Sequence, residues 1–451
     1  MANSRKSSIS LLERVTDTLS LVVPRGSSLL LGLSGGVDSV VLLHLLAQIS
    51  PHFPLRLSAL HVHHGISPLA DNWAEFCTTL CTKYAIPLQI EHVDLAPLRA
   101  MGVEAAARQL RHAALARQDV DFIALAHHRD DQVETLLLQL LRGAGVRGAS
   151  AMPVLLPRSA SPSLVRPLLD LDRASIMAYA NQHALRWVED DSNKDEHYPR
   201  NFLRHRVLPE LAQRFPSYRS TLTRSIRHFA EAAELLDELA IQDASHAIHN
   251  DSLSVAALRQ LSSARSKNLL RYFLALRKAP IPDASRLAEM LRQLCVAGKG
   301  AQICITWQGW QLRCYRDHAY ALTVTLPATE FAIVWQGETE IVLPAQHGLL
   351  LFDRVTGQGL SLEKLQRGGL SIRARQGSES MLLDPMRPRQ SLRNLLPQHG
   401  VPPWQRALMP LLYCGEELVW VPGVARVASY AAQTDEAGVL ICWCSYSEIR
   451  K

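Results

Sequence analysis

Short apolar runs alternate with stretches of helical periodicity along the N-terminal part of the chain. The apolar runs predict buried strands at 29–33, 57–64, 87–95 and 121–128. Between and after them, apolar residues recur every three to four positions, which predicts helices at 39–48, 71–85, 103–118 and 131–143. Strands that alternate with helices in this way form a parallel, doubly wound α/β sheet. Such sheets bind ligands at the carboxyl ends of their strands, so candidate chemistry belongs just after each strand.

The pattern changes after about Pro216. Residues 221–241 and 265–296 have helical periodicity without interleaved strands, and short alternating segments begin near residue 302. We therefore predict an α/β N-terminal catalytic domain at 1–215, a mainly helical middle domain at 216–365, and a small α+β C-terminal domain at 366–451. A chain of 451 residues is long enough for several domains.

Composition excludes two classes of protein. With 47% hydrophobic and 20% charged residues the chain can bury sizeable cores, which excludes a largely disordered protein. No apolar run approaches the ~18–20 residues that a membrane span needs, and the polar N-terminus does not resemble a signal peptide. The eight cysteines form no C-x-x-C pair and no disulfide framework, so we expect buried free thiols in a reducing, cytoplasmic compartment.

The formal net charge of +6 permits a nucleic-acid partner without arguing for one. The distribution is more informative, because residues 200–316 contain 18 Lys and Arg but only 9 Asp and Glu. The excess of positive charge therefore lies in the middle of the chain. Solvated helix faces also have such charges, so the distribution alone leaves both interpretations open.

The string SGGVDS follows the first predicted strand and begins the first predicted helix. Glycines let backbone N–H groups approach an anion, two serines add hydroxyl donors, and the helix N-terminus favours negative charge. Asp38 would repel phosphate unless a cation lay between them, and Mg²⁺ suits both carboxylate and phosphate oxygens. The string is not a Walker A loop, which needs G-x-x-x-x-G-K-S/T. The alternative is an ordinary Ser/Gly turn. The predicted ATP-binding residues are Ser34, Gly35, Gly36, Val37, Asp38 and Ser39, with Asp38 as the Mg²⁺ ligand.

A second constellation, AHHRDDQVETLLLQLLRGAG, follows the fourth predicted strand at 126–145. Asp131 and Glu134 are spaced i, i+3, so one helix face presents two carboxylates. Paired carboxylates bind a metal or an ammonium ion, or act as a base. The alternative is that acidic residues in a first helical turn only stabilise the helix N-terminus.

These motifs carry a resemblance to a known family. SGGVDS resembles the pyrophosphate loop (PP-loop) of N-type ATP pyrophosphatases, whose members include GMP and asparagine synthetases, tRNA thiolases and tRNA(Ile)-lysidine synthetase. The string at 126–145 is similar to A-H-H-x-D-D-Q-x-E-T of the last family. HVHHG at 61–65, EAAARQLR at 104–111, RGAG at 142–145, RPLL at 166–169, the stretch 189–209 and GVPPW at 400–404 also resemble that family in order.

The resemblance implies ATP-dependent ligation of lysine to C2 of the wobble cytidine in the CAU-anticodon isoleucine tRNA. An adenylated cytidine forms with release of pyrophosphate, lysine displaces AMP, and decoding and charging change from methionine to isoleucine. ATP, Mg²⁺, free L-lysine and the tRNA are implied, and no obligatory protein partner. Catalytic roles fall on Asp38, Arg108, Asp131 and Glu134, and the last pair would bind lysine. The predicted tRNA contacts are Arg111, Arg200, Arg204, Arg224, Arg227, Lys267, Arg271, Arg389 and Arg393.

The chain departs from the family pattern at two places. Ser67 stands where the family often has arginine, and Arg387, Arg389 and Arg393 stand where it commonly has lysines. Two alternatives are a PP-loop tRNA thiolase and a non-catalytic tRNA-binding protein. Thiolases usually carry sulfur or a cluster on cysteines, and here only Cys77 and Cys81 lie near the strand ends. A non-catalytic protein would be expected to lack Asp38, Asp131 or Glu134.

Overall fold

The computed structural model describes residues 10–158, 161–298, 301, 303–324, 329–383, 386 and 388–445, and of residues 99–101 and 104 the backbone alone. The chain divides into two compact units, Met1–Leu236 and Asp237–Lys451. The boundary between them falls within a single 30-residue helix, Tyr218–Ala247. Arg387 lies outside the described residues.

The N-terminal unit is built on a six-stranded sheet. Its strands are β1 (Ser28–Gly32), β2 (Arg56–His63), β3 (Leu88–His92), β4 (Phe122–Ala124), β5 (Leu155–Leu156) and β6 (Ser163–Val165). They lie in the order β3-β2-β1-β4-β6-β5, all parallel except β5, which pairs antiparallel with β6. The predicted parallel α/β sheet is thus confirmed. The pairing of β5 with β6 was not predicted, because runs of two and three residues are too short to show a periodic pattern.

Nine helices among the described residues of this unit precede the long helix. They are α1 (Leu11–Val22), α2 (Val37–Ile49), α3 (Ala70–Lys83), α4 (Val103–Ala116), α5 (Arg129–Leu141), α6 (Val146–Ala149), α7 (Arg173–Gln182), α8 (Pro199–Phe202) and α9 (Leu208–Arg214). Short 3-10 turns cover Ala96–Met101 and Asp191–Lys194, and a π-helical turn at Leu203–Val207 joins α8 to α9. The long helix Tyr218–Ala247 is α10.

Both faces of the sheet are covered, as a doubly wound fold requires. Alternate residues of a strand point to opposite faces. Leu29 and Leu31 of β1 therefore pack into the core that also contains residues of α1, α2 and α7. Leu30, between them, packs with Ala114 and Leu115 of α4 on the other face. The continuous apolar run in the sequence follows from this burial on both sides.

The C-terminal unit continues from α10 with two short strands and three helices and then turns to longer strands. Its first elements are β7 (Ile248–His249), β8 (Ser252–Ser254), α11 (Val255–Gln260), α12 (Ser263–Leu276), α13 (Ala284–Val296), β9 (Cys304–Trp307), β10 (Trp310–Tyr315) and β11 (His318–Thr323). The run predicted as helical at 265–296 is divided into α12 and α13. Pro280 and Pro282 lie between the two helices, and proline cannot continue a helix interior. The five strands form one antiparallel sheet in the order β7-β8-β11-β10-β9.

The remaining elements form a small, strand-rich region with short helices. They are β12 (Ala332–Val334), β13 (Glu340–Val342), β14 (Leu349–Thr356), β15 (Leu360–Ser361), α14 (Leu362–Gly368), β16 (Leu370–Ala374), β17 (Ser380–Met381), β18 (Gln390–Ser391), α15 (Leu392–Gln398), α16 (Pro403–Arg406), β19 (Pro410–Cys414), β20 (Glu417–Val421), β21 (Ala425–Arg426) and β22 (Ala437–Cys444), with a 3-10 turn at Ala428–Tyr430. β14 pairs with β22 over eight residues. β12, which begins at Ala332, pairs with β16. The predicted domain limits remain a prediction, and these pairings favour a boundary before residue 332.

Candidate active site

The loop between β1 and α2 exposes uncapped backbone donors. Gly36 is the N-cap of α2, and no side chain caps the helix, so its first N–H groups have no side-chain acceptor. The Oγ atoms of Ser34 and Ser39 lie 3.1 Å apart, and Ser39 Oγ donates to the carbonyl of Gly36 at 2.9 Å. A helix N-terminus with free N–H groups favours an anion. The geometry is therefore that of a phosphate-binding loop.

Gly35 is required in this loop for two reasons. Its φ is +85°, in the left-handed region that favours glycine. A Cβ at this position would lie 2.8 Å from Cγ2 of Val188, whose backbone N–H donates to the Gly35 carbonyl at 3.0 Å. The segment around Val188 thus holds the loop from outside, and only glycine fits between them.

The carboxylates of Asp38 and Asp131 both lie near the buried imidazole of His128. His128 is the N-cap of α5, and its Nδ1 accepts a hydrogen bond from the Asp131 N–H, while Asp131 Oδ2 accepts from the His128 N–H at 2.9 Å. His128 Nε2 lies 3.8 Å from Asp38 Oδ2 and 3.4 Å from Asp131 Oδ2. This links the β1–α2 loop to the start of α5. The sequence motif includes His128, but a linking role was not predicted for it.

Burial raises the pKa of Asp38 above its usual value, against the opposing charge of His128. Its Oδ1 is buried and has no hydrogen-bond partner. A carboxylate oxygen without a partner beside a phosphate-binding loop suits a hard cation that also takes phosphate oxygens. The described residues contain no cluster of three or more metal-ligating side chains, so substrate oxygens would have to complete the coordination of Mg²⁺. Asp38 therefore fits the predicted magnesium role.

Asp131 and Glu134 lie on one face of α5, as their spacing predicts, and both are buried. They are bound by Arg200 of α8 and Arg204 of the π-helical turn. Arg200 donates through Nε to Glu134 Oε2 at 2.7 Å and through Nη2 to Asp131 Oδ1 at 2.9 Å. Arg204 donates to Glu134 Oε1 at 2.7 Å and Oε2 at 3.0 Å, and to Asp131 Oδ1 at 3.3 Å. We call these four residues the ion cluster.

The ion cluster was not predicted: from the sequence, its acids were expected to bind lysine and its arginines to bind tRNA. One signal was available, since R-N-F-L-R places the two arginines i, i+4, on one helical face. The pKa of Asp131 responds first to burial, which raises it. The charges of His128 and Arg200 outweigh that effect, and the pKa is lowered overall. At neutral pH the cluster holds an ionised Asp131 between guanidinium groups.

The neighbours of Asp131 have different surroundings. Asp130 turns away from the cluster and accepts from Arg219 of α10 and from the backbone N–H of Arg173, which begins α7. His127 is kept neutral, since burial lowers its pKa to about 3, and its Nδ1 is buried without a hydrogen-bond partner. Asp130 is therefore a structural residue, while His127 has the properties of a neutral acceptor.

The predicted tRNA residues are spread over both units. In the N-terminal unit Arg224 and Arg227 lie exposed on α10, and Arg227 pairs with Asp170 at 3.1 Å. In the C-terminal unit Lys267 and Arg271 lie one turn apart on α12 and are half-buried.

Two further pairs of predicted arginines lie at the surface. Arg108 and Arg111 are exposed residues of α4, the helix that covers one face of the sheet. Arg389 and Arg393 are exposed as well, and Arg393 lies in the first turn of α15. These positions are accessible to an RNA, and contact with one stays a prediction.

The cysteines that bear on the thiolase alternative are buried in the core. Cys77 and Cys81 are free thiols on α3, and burial raises their pKa values to about 12 and about 11. Thiols with such pKa values are not nucleophilic at neutral pH.

Within the described part of the chain, no helix is both long and apolar enough to cross a membrane.

Comparison with known proteins identifies the family. Residues 8–211 match the PP-loop domain, 253–320 the TilS substrate binding domain, and 370–443 the TilS substrate C-terminal domain. The chain is 43% identical to a tRNA(Ile)-lysidine synthase of Nitrosomonas europaea, covering 93% of this chain and 92% of the relative. It is 38% identical to one of Azoarcus sp., with 92% of each chain covered. A U34-tRNA thiolase structure from Methanococcus maripaludis matches 49% of this chain and 78% of its own at 19% identity, with a TM-score of 0.43. The chain belongs to the tRNA(Ile)-lysidine synthase family.

Proposed function

We propose that the chain ligates lysine to the wobble cytidine of the CAU-anticodon isoleucine tRNA and forms lysidine at the expense of ATP. It would thus be a ligase that forms a carbon–nitrogen bond. The observation that carries the proposal is the meeting of a phosphate-binding loop and a buried acidic pair through His128, in a chain of this family. ATP and an amine nucleophile can then be brought to the same crevice.

In the first step, the C2 carbonyl oxygen of the cytidine attacks the α-phosphorus of ATP and pyrophosphate leaves. The uncapped N–H groups of α2 and the hydroxyls of Ser34 and Ser39 would receive the phosphates. Asp38 would hold Mg²⁺, which supplies charge neutralisation when it is bound. Arg108 is proposed to stabilise phosphoryl charge from the neighbouring helix.

In the second step, the lysine ε-amine attacks C2, and AMP leaves with the former carbonyl oxygen. Asp131 and Glu134 are proposed to hold lysine, but in the ion cluster two guanidinium groups already balance their two charges. A lysine ammonium group would add a third positive charge. We therefore propose that Arg200 and Arg204 exchange the carboxylates for tRNA phosphates, which frees the acidic pair for lysine.

A proton must leave the ammonium group before the amine attacks. The base must accept a proton at neutral pH and lie within hydrogen-bond reach of the amine. His127 is a poor base, because burial lowers its pKa to about 3 and it would take up a proton only in acid. We propose Asp131 as the acceptor. Burial raises its pKa and the charges of His128 and Arg200 lower it overall, so departure of Arg200 to a tRNA phosphate would make Asp131 more basic.

The tRNA itself would be bound by charges outside the crevice. The proposed phosphate contacts are Arg111, Arg224, Arg227, Lys267, Arg271, Arg389 and Arg393, on elements of both units. Phosphate contacts of this kind give affinity that falls with salt. We propose a cytoplasmic location and no obligatory protein partner, since free lysine, ATP and the tRNA are the only substrates that the reaction needs.

The experiment supplies ATP, labelled lysine and unmodified transcripts of isoleucine and methionine tRNAs that share the CAU anticodon. We expect lysine in the isoleucine tRNA alone. Asp38→Ala should retain tRNA binding and lose lysine-dependent AMP release, whereas a non-catalytic tRNA-binding protein would bind tRNA without lysine-dependent AMP release even in the wild type. Sulfur transfer without lysine incorporation would establish the thiolase alternative.

A further inference from the structure

Arg166, the first residue of the RPLL string, is a buried cation without a counter-ion. Its side chain follows β6 and the residue is 6% exposed. Nη1 donates to the carbonyl of Pro153 at 2.8 Å, while Nε is buried without any hydrogen-bond partner. Among the residues that the structure describes, no carboxylate forms an ion pair with it. By contrast, the guanidinium groups of the ion cluster, which are only partly buried, each bind two carboxylates.

The strand pairing places further arginines on the same face of the sheet. Leu164 of β6 packs against α4, and it pairs directly with Leu156 of β5. Arg166 lies two residues after Leu164 and Arg158 two residues after Leu156, so the alternation of side chains directs both toward α4. Because β5 and β6 are antiparallel, the two arginines lie toward opposite ends of this strand pair. Arg158 also forms no ion pair with any described residue.

α4, which covers this face of the sheet, contributes more positive charge. Arg108 and Arg111 lie on this helix, and so does His112, which is half-buried. Burial, first, and then the charges of Arg108, Arg158, Arg111 and Arg166 lower the pKa of His112. Four guanidinium groups therefore lie close enough to act on one imidazole. The charge of Asp190 acts on Arg111, whereas Arg166 and Arg158 form no ion pair with any described residue.

This arrangement of positive charges does not stabilise the folded protein. Burial and then the charges of Arg158 and Arg108 lower the pKa of Arg166 to about 10, so the group remains charged at neutral pH. A buried charge without a partner is unfavourable, and like charges beside it increase the cost. Such a group is retained where a ligand supplies the opposite charge.

The position points to the ligand of the proposed reaction. β6 lies next to β4, and the Leu125 N–H donates to the carbonyl of Val165 at 2.9 Å. Arg166 therefore follows the carboxyl end of β6 at the same sheet edge as His127 and the β1–α2 loop. Ligands of doubly wound sheets bind along this edge.

We propose that Arg166 binds a phosphate group of the substrates on the α4 side of the crevice, with the positive charge of Arg158 adding to the attraction. The guanidinium fork with its free Nε suits phosphate oxygens. The phosphate comes either from the tRNA backbone next to the cytidine or from the β,γ end of ATP, which leaves as pyrophosphate. The choice between these sources rests on the proposed function, while anion binding at Arg166 does not.

The experiment compares Arg166→Met with wild type in the full-length chain, using two probes. One is α,β-methylene-ATP, which cannot be cleaved between its α- and β-phosphates, and the other is the unmodified CAU-anticodon isoleucine transcript. We expect affinity for one probe to fall about tenfold or more, as for loss of a charged hydrogen bond. If the phosphate belongs to the tRNA, the plot of the logarithm of the tRNA association constant against the logarithm of salt concentration should also become less steep, by about one unit of slope. Arg166→Lys should restore part of the affinity, since it keeps the charge without the fork.

Arg25→Met is the matched control, because Arg25 precedes β1 at the opposite edge of the sheet and its substitution removes the same charge. It should change neither affinity. Thermal unfolding of Arg166→Met in the absence of ligand should occur at or above the wild-type temperature, since repulsion is relieved. If Arg166→Met fails to fold, Arg158→Met takes its place and must lower the affinity of the protein for one of the two probes.

Unchanged affinity for both probes would overturn the proposal, and with a lowered unfolding temperature it would make Arg166 a structural tie to Pro153. Both binding measurements are independent of lysine. A wild-type protein that incorporates no lysine would refute the proposed function and leave the test of Arg166 intact.

Discussion

Removing Arg204 tests whether the ion cluster is a main stabilising feature of the N-terminal unit. In Arg204→Met, Glu134 loses two of its three hydrogen bonds to arginine and keeps only the Nε donor of Arg200. The Glu134 side chain is 1% exposed, whereas that of Arg204 is 24% exposed. Water therefore cannot replace the lost donors at the carboxylate.

The magnitude follows from this burial. Removing one partner of a buried ion pair costs about 3–5 kcal/mol. Arg200 remains and the lost arginine was partly hydrated, so we expect about 2–3 kcal/mol. For a domain of this size about 1 kcal/mol shifts the unfolding temperature by roughly 2–4 °C. The N-terminal transition should thus move down by about 5–10 °C.

The assay is calorimetric unfolding of the full chain, with Arg206→Met as the matched control. Arg206 lies in the same π-helical turn, and its ion pair with Glu196 joins side chains that are 66% and 38% exposed. Exposed pairs contribute about 0–1 kcal/mol, so this variant should unfold close to wild type. A loss below about 0.5 kcal/mol in Arg204→Met, or equal losses in the two variants, would refute the reasoning.

The pH dependence of the difference supplies an independent check. The pKa of Asp131 is lowered in the fold, so its share of the stabilisation is present above the unfolded-state value of about 4 and is lost as pH falls through the folded value. The gap between wild type and Arg204→Met should therefore be constant from about pH 5 to 8 and shrink in acid. A gap that grew in acid would contradict the assignment of an ionised Asp131.

Three further outcomes are expected. Asp38→Asn should abolish pyrophosphate release yet unfold at or above the wild-type temperature at pH 7.5, because burial raises the pKa of Asp38 and its ionised form destabilises the fold; calorimetry should show this gain shrinking as pH falls, and a loss of stability would contradict it. Gly35→Ala should cost about 1–2 kcal/mol from the left-handed backbone alone, with more from contact with Val188, and should lower ATP affinity; unchanged unfolding and binding would contradict the loop geometry. The double variant Cys77→Ala/Cys81→Ala should retain lysine incorporation. In the folded wild-type protein, neither of these two thiols should react with iodoacetamide at pH 8, and rapid labelling of either would contradict their raised pKa values.

The order of strands and helices in the N-terminal unit was predictable, because long apolar runs record burial on both faces of a parallel sheet. The phosphate-binding loop was predictable too, since the whole string SGGVDS stands directly between the first strand and the first helix, where backbone N–H groups favour an anion. Helix α1 was not predicted, and it needs tertiary packing to be recognised, through Val15 and Leu19 in the main core.

The partners of the acidic pair could not be predicted from spacing. Asp131 and Glu134 are about 70 residues from Arg200 and Arg204 along the chain, and their meeting depends on how α8 packs against α5. Periodicity describes which residues share a face of one helix and says nothing about the residues that oppose that face.

The single measurement that tests the account most directly is a double-label single turnover with excess protein over the CAU-anticodon isoleucine tRNA. ATP carries ³²P at the α-phosphate and lysine carries ¹⁴C. Without lysine, we expect ³²P to appear on the tRNA as pyrophosphate is released. Adding lysine should release that label as AMP and place an equal amount of ¹⁴C on the tRNA. AMP formation without prior labelling of the tRNA, or loss of ³²P from the tRNA without gain of lysine, would contradict the proposed reaction.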